Sequence, residues 1–561
     1  MLILFHQLVL NGWIVTGFFG ACAFFAVAGF SPLDVTNVAW TFIHNDTAAA
    51  QTGWTFYRHA PWSAKIASNL TYGMDFGGSI IFSDAVPLMA ITFKALSPIL
   101  PCPMQYFGLW VFASFILQGV FGWVLMSRVT ENPVARILAA CLISLTPLYV
   151  YRLVSCTHLS LTAHWMILAA LCLCLPPHSR RPSLWWGLLL AVAAFVHIYI
   201  FAMVAALWCA DIARRAFAGV RKAGIELVVL TGVLGALIWS TGVWSGPAGE
   251  FQGGFGWFKM NALAFIDPSG WTSAERRPWS YVLPDILNWG GDYEGFAFVG
   301  LGGLVLVAIA ACSLPAVLPQ YPLSLTYAYA PLSVVLIGMS VFALSQNVTF
   351  GTTNFWLWWP GPLRSLGELF RSTGRFVWPF YYFLFVAAVL VVSRRLSSRA
   401  LKIVLGSVVI VQAVDTVPGW RQDSAYLHKR GGAYQTSMTS PFWSEAAARY
   451  ASVRLAPHSN GHQRHLDIAS MALAHRMLTD AAYLSRTSMP ASEASRARIE
   501  RGIATGIWPR DTLFIILEED VARRASATSD PTRNFLVRVD GYIVLAPEWQ
   551  GCSDCGAVWF Q

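Results

Sequence analysis

The sequence predicts a mainly α-helical, polytopic membrane protein with a small α/β extramembrane domain at its C-terminal end. Three observations predict it. Of 561 residues, 56% are hydrophobic and 12% charged, more apolar surface than a water-soluble core of this size hides. The apolar residues come in blocks such as Gly187 to Ala210, Leu227 to Trp244 and Phe376 to Val392. Such blocks suit a hydrocarbon layer crossed as helix, because lipid offers the backbone no hydrogen-bond partner. From about Arg421 onward the composition turns soluble.

The spans are expected at about 4–30, 104–127, 134–151, 158–175, 223–243, 295–317, 325–345, 375–392 and 401–417. Leu2 to Phe30 has neither a basic leader nor a small-residue cleavage pattern, so it is read as the first helix. Basic clusters mark the cytoplasmic connections: Arg128 with Arg136, His178 to Arg181, Arg214 to Lys222, and Arg394 to Lys402. The net charge of +9 is therefore topology information before it is a nucleic-acid signal, and no nucleic-acid partner is expected. This orientation puts the N-terminus inside and the tail outside.

Trp185 to Cys209 is flanked on both sides by cytoplasmic-type arginines yet is long enough for one crossing only. Two half-helices resolve it, Trp185 to Phe195 entering and Ile198 to Cys209 returning, with a turn near His197. Ser79 to Leu100, which holds Asp84, Pro87, Lys94 and Pro98, is expected to lie in the interface or dip into it. The domains are then a transmembrane domain over 1–420, with outer loops 31–78, 245–294 and 346–374, and a soluble outer domain over 421–561. In the latter, Ser444 to Ala456 reads as helix, and Thr512 to Leu517 and Phe535 to Leu545 as strands. Eight of the ten cysteines lie in or beside apolar blocks, where cysteine acts as a small hydrophobe, so no metal site is expected from them. Cys552 and Cys555 are close enough to bridge, as an oxidising compartment allows.

Candidate site residues gather at the outer ends of the spans. Asp46, in the first outer loop, stands where a helix can begin: it caps that helix, or it serves as a general base at a surface cavity. Asp84 likewise caps a helix beginning near Val86 or acts as a second acid, with Arg58, Arg152 and Lys94 as its candidate partners. Arg371 and Arg375, four apart, share a face on a continuous helix and suit a phosphate held by two guanidinium forks. Otherwise they reach lipid headgroups or pair with Glu368 and Glu294. His158 and His164 are spaced by six, which does not match paired helical zinc ligands. Asp292 and Glu294 close the second outer loop and are read as binding a sugar hydroxyl, a metal ion or nothing.

An ordered set of segments carries a family resemblance. The segments are Asp46 followed by Gly53-Trp54 and Pro61-Trp62, Ser79 to Pro87, Gln105 to Trp110, Ala163-His164-Trp165, Tyr293-Glu294-Gly295, and Phe370 to Pro379. Over most of residues 1–420 the chain resembles a bacterial family of multi-pass proteins grouped with the GT-C glycosyltransferases. The resemblance implies a GT-C-like fold in the bacterial inner membrane, with its active site and C-terminal domain periplasmic. It implies a polyprenyl-phosphate-linked sugar as donor, with a glycan, lipid or protein as acceptor. The essential acid of the first outer loop falls on Asp46, which would act as base in an inverting transfer. Arg371 and Arg375 would clamp the leaving phosphate, and Asp84, His164, Glu294, Arg58 and Arg152 would position substrate. A divalent cation is not required by the sequence, and the cofactor stays open. One departure stands out: a Gln-His pair is expected shortly after the acid, and this chain has Ala49-Ala50. That departure keeps open a non-catalytic assembly subunit of envelope polysaccharide synthesis, and the half-helix pair with its intramembrane polar groups keeps open a lipid-linked saccharide transporter.

Overall fold

The computed structural model describes residues 11–243, 253–269, 278–552 and 555–560. Parts of the expected span 4–30 and of the expected outer loop 245–294 therefore lie outside the described residues. The protein is mainly helical, with a small C-terminal α/β region.

In chain order the helices begin with α1 (Gly12–Ala28), α2 (Asn45–His59), α3 (Pro87–Ala95), α4 (Phe107–Met126), α5 (Pro133–Ser144) and α6 (Pro147–Val154). They continue with α7 (Trp165–Cys174), α8 (Pro182–Ala194), α9 (Ile198–Phe217), α10 (Lys222–Ser240), α11 (Leu301–Val317) and α12 (Leu323–Leu344). A hairpin of β1 (Asn347–Phe350) and β2 (Thr353–Trp356) precedes α13 (Gly361–Phe370), α14 (Trp378–Arg395), α15 (Ser398–Asp415) and α16 (Val417–Asp423). The C-terminal part runs α17 (Phe442–Ala447), β3 (Ser452–Ala456), α18 (His465–Ala474), β4 (Leu478–Thr479), α19 (Met489–Thr505), β5 (Thr512–Ile516) and α20 (Glu519–Thr528). It ends with β6 (Asn534–Val539), β7 (Tyr542–Pro547) and β8 (Val558–Trp559).

Among the described residues, six helical segments are long and apolar enough to cross a membrane: Phe107–Met126, Pro133–Val154, Lys222–Ser240, Leu301–Gln320, Tyr327–Leu344 and Thr373–Arg395. The expected break near His197 is present, at 195–197 between α8 and α9, but α9 runs 20 residues to Phe217 instead of ending at Cys209; the His197 ring accepts from the Tyr199 N–H at the start of α9. The expected span 134–151 lies within the candidate segment Pro133–Val154, where Pro147 opens a second helix at its first position and supplies no N–H to continue the first. Two expected spans differ. The one at 401–417 is helical as α15 but carries Arg399, Lys402 and Asp415 and is not among the six segments. The one at 158–175 is regular α-helix only over α7, after a 3₁₀ turn at Leu159–Thr162. Part of the basic cluster after α9 is neutralised, since Asp211 pairs with Arg214 and Arg215, and Glu226 with Arg215.

The described chain divides into two compact units. The first comprises residues 1–35, 106–237 and 251–429, and the second 36–105, 238–250 and 430–561. The first outer loop, expected to belong to the helical part, does not: residues 36–105 pack with the C-terminal α/β region. Tyr72 lies beside Thr479 as a parallel bridge, and Phe56 on α2, Tyr72 and Phe82 enter the core formed by Phe442, Trp443, Val453, Leu513 and Val544.

The six-stranded sheet has the order β4-β3-β5-β7-β6-β8, with β3, β4 and β5 parallel and the remaining pairings antiparallel. Every residue of β5 and β7 is buried, as strands covered on both faces require. One face packs on α17, α18 and the 36–105 segment, the other on α19 and α20. The sequence reading of one helix over 444–456 is corrected: Val453 and Leu455 belong to β3, a buried strand whose short apolar run is ambiguous by periodicity. The single strand read at 535–545 is a hairpin, turned at Asp540-Gly541 with both residues at positive φ (49° and 79°), a two-residue turn that favours this dipeptide. Cys552 and Cys555 are joined by a disulfide.

In the first unit, α1 and α4 touch backbone to backbone through glycines. A Cβ on Gly20 would stand 2.2 Å from the Phe115 carbonyl oxygen, and one on Gly119 2.1 Å from that of Thr16. Gly119→Val is expected to lower stability by about 1–3 kcal/mol through overpacking. Gly406→Ala on α15, where a Cβ meets nothing within 4 Å, is expected to be neutral or mildly stabilising. Thermal unfolding of the two variants in detergent checks the contrast.

Candidate functional site

The first unit brings Arg152, Glu294 and Arg375 together. Arg152 lies on α6, every residue of which is buried, and Glu294 in a 3₁₀ turn at Asp292–Gly295. Arg375 lies in another 3₁₀ turn, Thr373–Val377, just before α14. The two turns meet through glycines: a Cβ on Gly374 would stand 2.7 Å from the Cα of Gly295, and one on Gly295 2.3 Å from the Cα of Met260. Larger residues would hold the turns, and with them the carboxylate and the guanidinium, apart.

Glu294 accepts from both arginines. Arg375 donates from Nε to Oε2 (2.9 Å) and from Nη2 to Oε1. Arg152 donates from Nη1 to Oε2 (2.8 Å) and from Nη2 to the Glu294 carbonyl (2.7 Å). All three side chains are buried, so the cluster places two cations and one anion out of water. Burial opposes the Glu294 charge, but the guanidiniums of Arg375 and then Arg152 outweigh it and hold the carboxyl well below the usual carboxylate range. Around the triad, Arg375 Nη2 lies 3.4 Å from His158 Nε2, its guanidinium stacks over Tyr199, and that of Arg152 over Trp378.

His164 joins from α7. Its ring stacks on Trp378 at 4.2 Å, and its Nδ1 is 2.8 Å from the Tyr382 hydroxyl, which also accepts from Gln118. Four buried polar atoms here have no hydrogen-bond partner among the described residues: Arg152 Nε, His158 Nδ1, His164 Nε2 and Thr373 Oγ1.

Arg371 and Arg375 do not share one helix. Arg371 ends α13 at φ 52°, and the chain reaches Arg375 only through the 3₁₀ turn. The Arg371 guanidinium stacks over Phe258. Of their candidate acidic partners, Glu294 takes Arg375, while Glu368 pairs with Arg364 at 3.0 Å. Asp292 is an ion-pair partner as well: it accepts from Lys259 (2.7 Å), Asn261, Thr349 and the Trp289 N–H. Lys259 lies next to a loop stretch of aromatic residues and gave no signal of this role in the sequence.

Asp46, Asp84 and Arg58 belong to the second unit. Neither acid is an N-cap, and Asp84 instead closes the 3₁₀ turn Ile80–Ser83 as its C-cap residue. The helix starts before Asp46, with His44 as its N-cap residue, and places Asp46 half-buried in the first turn of α2, where its charge complements the helix dipole. Asp84 sits at φ 57°, and α3 begins three residues later with Val86 at the cap position. Among its candidate partners, Arg58 donates to the carbonyls of Pro101, Ser97 and Leu100, and Lys94 to that of Pro61 while lying over the rings of Tyr57 and Trp62. Arg152 is engaged by Glu294.

The second unit holds a further polar cluster that the sequence analysis does not name, formed by Asp75, Arg454, His458, Asp480 and Arg498. Its signal in the sequence is positional: Asp480 and His458 follow parallel strands at their carboxyl ends, where α/β sheets place ligands and polar groups.

The chain is thus a protein of long apolar helices with a buried arginine–glutamate cluster and an α/β unit that incorporates its first long connection. Residues 17–417 match the family model described as a domain of unknown function, DUF6311, and residues 442–547 match the DUF6311 C-terminal domain. The chain belongs to the DUF6311 family. No curated protein matches it.

Removing the Glu294 charge leaves two buried guanidiniums uncompensated. Glu294→Gln is expected to destabilise the protein by about 3–5 kcal/mol, measured by thermal or denaturant unfolding. Glu294 has a lower pKa folded than unfolded, so its contribution is present above the unfolded carboxylate range and lost as pH falls through the lower folded value. The gap between wild type and Glu294→Gln is therefore expected to persist into mild acid and to close only in strong acid.

Proposed function

We propose that this protein is a membrane glycosyltransferase of the lipid-linked-sugar type, with inversion at the transferred sugar and Asp46 as general base. The observation that carries the reading is the buried Arg152–Glu294–Arg375 triad. It holds one positive charge in excess in a protein of apolar helices, an environment in which a charge is retained only where it is compensated. A lipid phosphate is a ligand whose charge offsets that excess.

The membrane part of the reading is supported by the helices themselves. Only 17% of the apolar window Lys222–Ser240 is buried, and 33% of Leu301–Gln320 and of Tyr327–Leu344, so much of their apolar surface faces outward. Val228, Val305, Leu314, Val334 and Ile337 are exposed apolar side chains of this kind. A helix that is apolar all round needs either protein or lipid about it. The inner membrane of a bacterium, with the α/β unit on the periplasmic side, is the placement that goes with this chemistry.

In the proposed reaction the acceptor hydroxyl oxygen attacks the anomeric carbon from the face opposite the phosphate. Its proton passes to the Asp46 carboxylate, the bond from the anomeric carbon to the phosphate oxygen breaks, and polyprenyl phosphate leaves with the electron pair. Arg371 and the triad supply positive charge toward the leaving phosphate, which stabilises the transition state where charge builds on that oxygen. Glu294 engages Arg375 through Nε and Nη2, so the Nη1 donors are the ones its guanidinium would turn toward phosphate.

A second reading, a non-catalytic assembly subunit, is favoured by one observation. Ala49 and Ala50 are buried in α2 and present no polar group where the family resemblance implies Gln-His.

Incubating the purified protein with a panel of polyprenyl-phosphate sugars and following donor consumption tests the reading. Wild type is expected to turn over at least one donor, and Asp46→Asn to lose at least about 100-fold in turnover with its unfolding temperature unchanged. Full turnover by Asp46→Asn removes the base assignment, and no donor consumed or bound by wild type leaves the assembly role.

A further inference from the structure

The turn at Asp75–Phe76 and the C-terminal sheet meet, within the second unit, in a charged cluster at the carboxyl ends of β3 and β4. Asp480 follows β4 directly and is fully buried. Its Oδ1 accepts from the Leu455 N–H at 2.8 Å, whereas its Oδ2 has no hydrogen-bond partner among the described residues. Arg454 Nη1 lies 3.7 Å and His458 Nδ1 4.0 Å from that oxygen. His458 has neither ring nitrogen hydrogen-bonded, and its ring stacks on Phe76 with centroids 3.4 Å apart. Asp75, next to Phe76, accepts from Arg454 Nη1 at 2.8 Å and lies 3.9 Å from Arg498 Nη2 on α19.

This contact is mechanically linked to α2. From Phe76 the chain runs into a 3₁₀ turn at Ile80–Ser83 that packs on Gly53, where a Cβ would stand 2.4 Å from Ser83 Oγ. Asn69 also donates to the Gly53 carbonyl. Gly53 lies about two helical turns from Asp46 on the same helix.

We propose that Asp480, acting with Arg454, is a proton-responsive positioning residue. It sets how firmly the Asp75–Phe76 turn is held on the sheet edge and, through Ser83 and Gly53, how α2 presents Asp46. The functional half of this inference rests on the reading of Asp46 as the base. Five groups face one another here: Asp75 from the 74–76 turn, Arg454 from β3, His458 from the loop after β3, Asp480 after β4, and Arg498 from α19. Burial pushes the Asp480 carboxyl up to about 7; the Leu455 N–H and Arg454 work against the rise, and Asp75 adds to it. Burial also lowers His458 to about 4, so its ring is neutral while Asp480 titrates.

With Asp480 protonated, Arg454 serves Asp75 alone. Once Asp480 ionises, a second carboxylate competes for Arg454 and repels Asp75. Asp480 has a higher pKa folded than unfolded, so the hold is firm in mild acid and lost as pH rises through about 7.

Hydrogen exchange of residues 72–84 in the full chain, expressed as protection factors at pH 6 and pH 8, tests this, with donor turnover followed in parallel. In wild type, protection is expected to fall roughly fivefold between the two pH values, the scale of one partly exposed ion pair. Asp480→Asn, which mimics the protonated acid, is expected to keep the pH 6 protection at pH 8 and to flatten that limb of the kcat profile without moving donor KM. Arg454→Gln and Asp75→Asn are expected to be weakly protected at both pH values. A wild-type pH response in Asp480→Asn, or wild-type protection in both Arg454→Gln and Asp75→Asn, overturns the proposal. If wild type turns over no donor, the transferase reading falls while the exchange measurement still decides the hold.

Discussion

A carboxylate that has left water must find its full complement of positive partners nearby, and Glu294 meets this demand with two arginines drawn from distant parts of the chain. Arg152 comes from a short helix that Pro147 sets apart from α5, and Arg375 from a 3₁₀ turn that Gly374 lets approach Gly295. The first unit is arranged around this need: α6, the 292–295 turn and the start of α14 cannot separate without stranding a buried charge. Trp378 and Tyr199 complete the enclosure by laying their rings against the guanidiniums, and His164 continues the polar column toward Tyr382 and Gln118.

The second unit answers a different constraint. A six-stranded sheet with buried central strands needs cover on both faces, and the chain supplies part of that cover from its first long connection rather than from the C-terminal segment alone. Phe56, Tyr72 and Phe82 sit among residues more than 350 positions away in sequence, and the backbone of Gly73 donates to Thr479. The match of residues 442–547 to a separate family model therefore marks a sequence unit whose core is completed by residues 36–105. Under the proposed function, the helix that bears Asp46 is built into the same body as the C-terminal sheet.

Much of this was legible in the residues. A break near His197 follows from charge on both flanks of a stretch too short for two crossings, and α8 ends and α9 begins at that point. The Cys552–Cys555 bridge follows from spacing. Glu294 and Arg375 stood among the candidate side chains, and their mutual pairing was one of the roles considered for them. Arg152, one of three candidate partners of Asp84 in the sequence, pairs with Glu294, because sequence distance says nothing about which buried acid a buried arginine meets. The reading of 444–456 as one helix failed because a five-residue buried strand following a six-residue helix has no periodicity of its own. No motif links Asp75, Arg454, His458 and Asp480; the parallel pairing of β3 and β4 sets the last three side by side, and the Tyr72–Thr479 bridge brings Asp75 to them.

The sequence by itself determined what scales with composition and local pattern. Long apolar helices, the basic stretches between them, the polar composition of the last part of the chain and the break near His197 all depend on near neighbours and on total apolar surface. Tertiary structure alone decided which charges neutralise one another and which segment completes which core. Those outcomes depend on desolvation and close packing between residues hundreds of positions apart. A carboxylate in the sequence carries no mark of whether it will face water, a helix dipole or two guanidiniums until the chain has buried it.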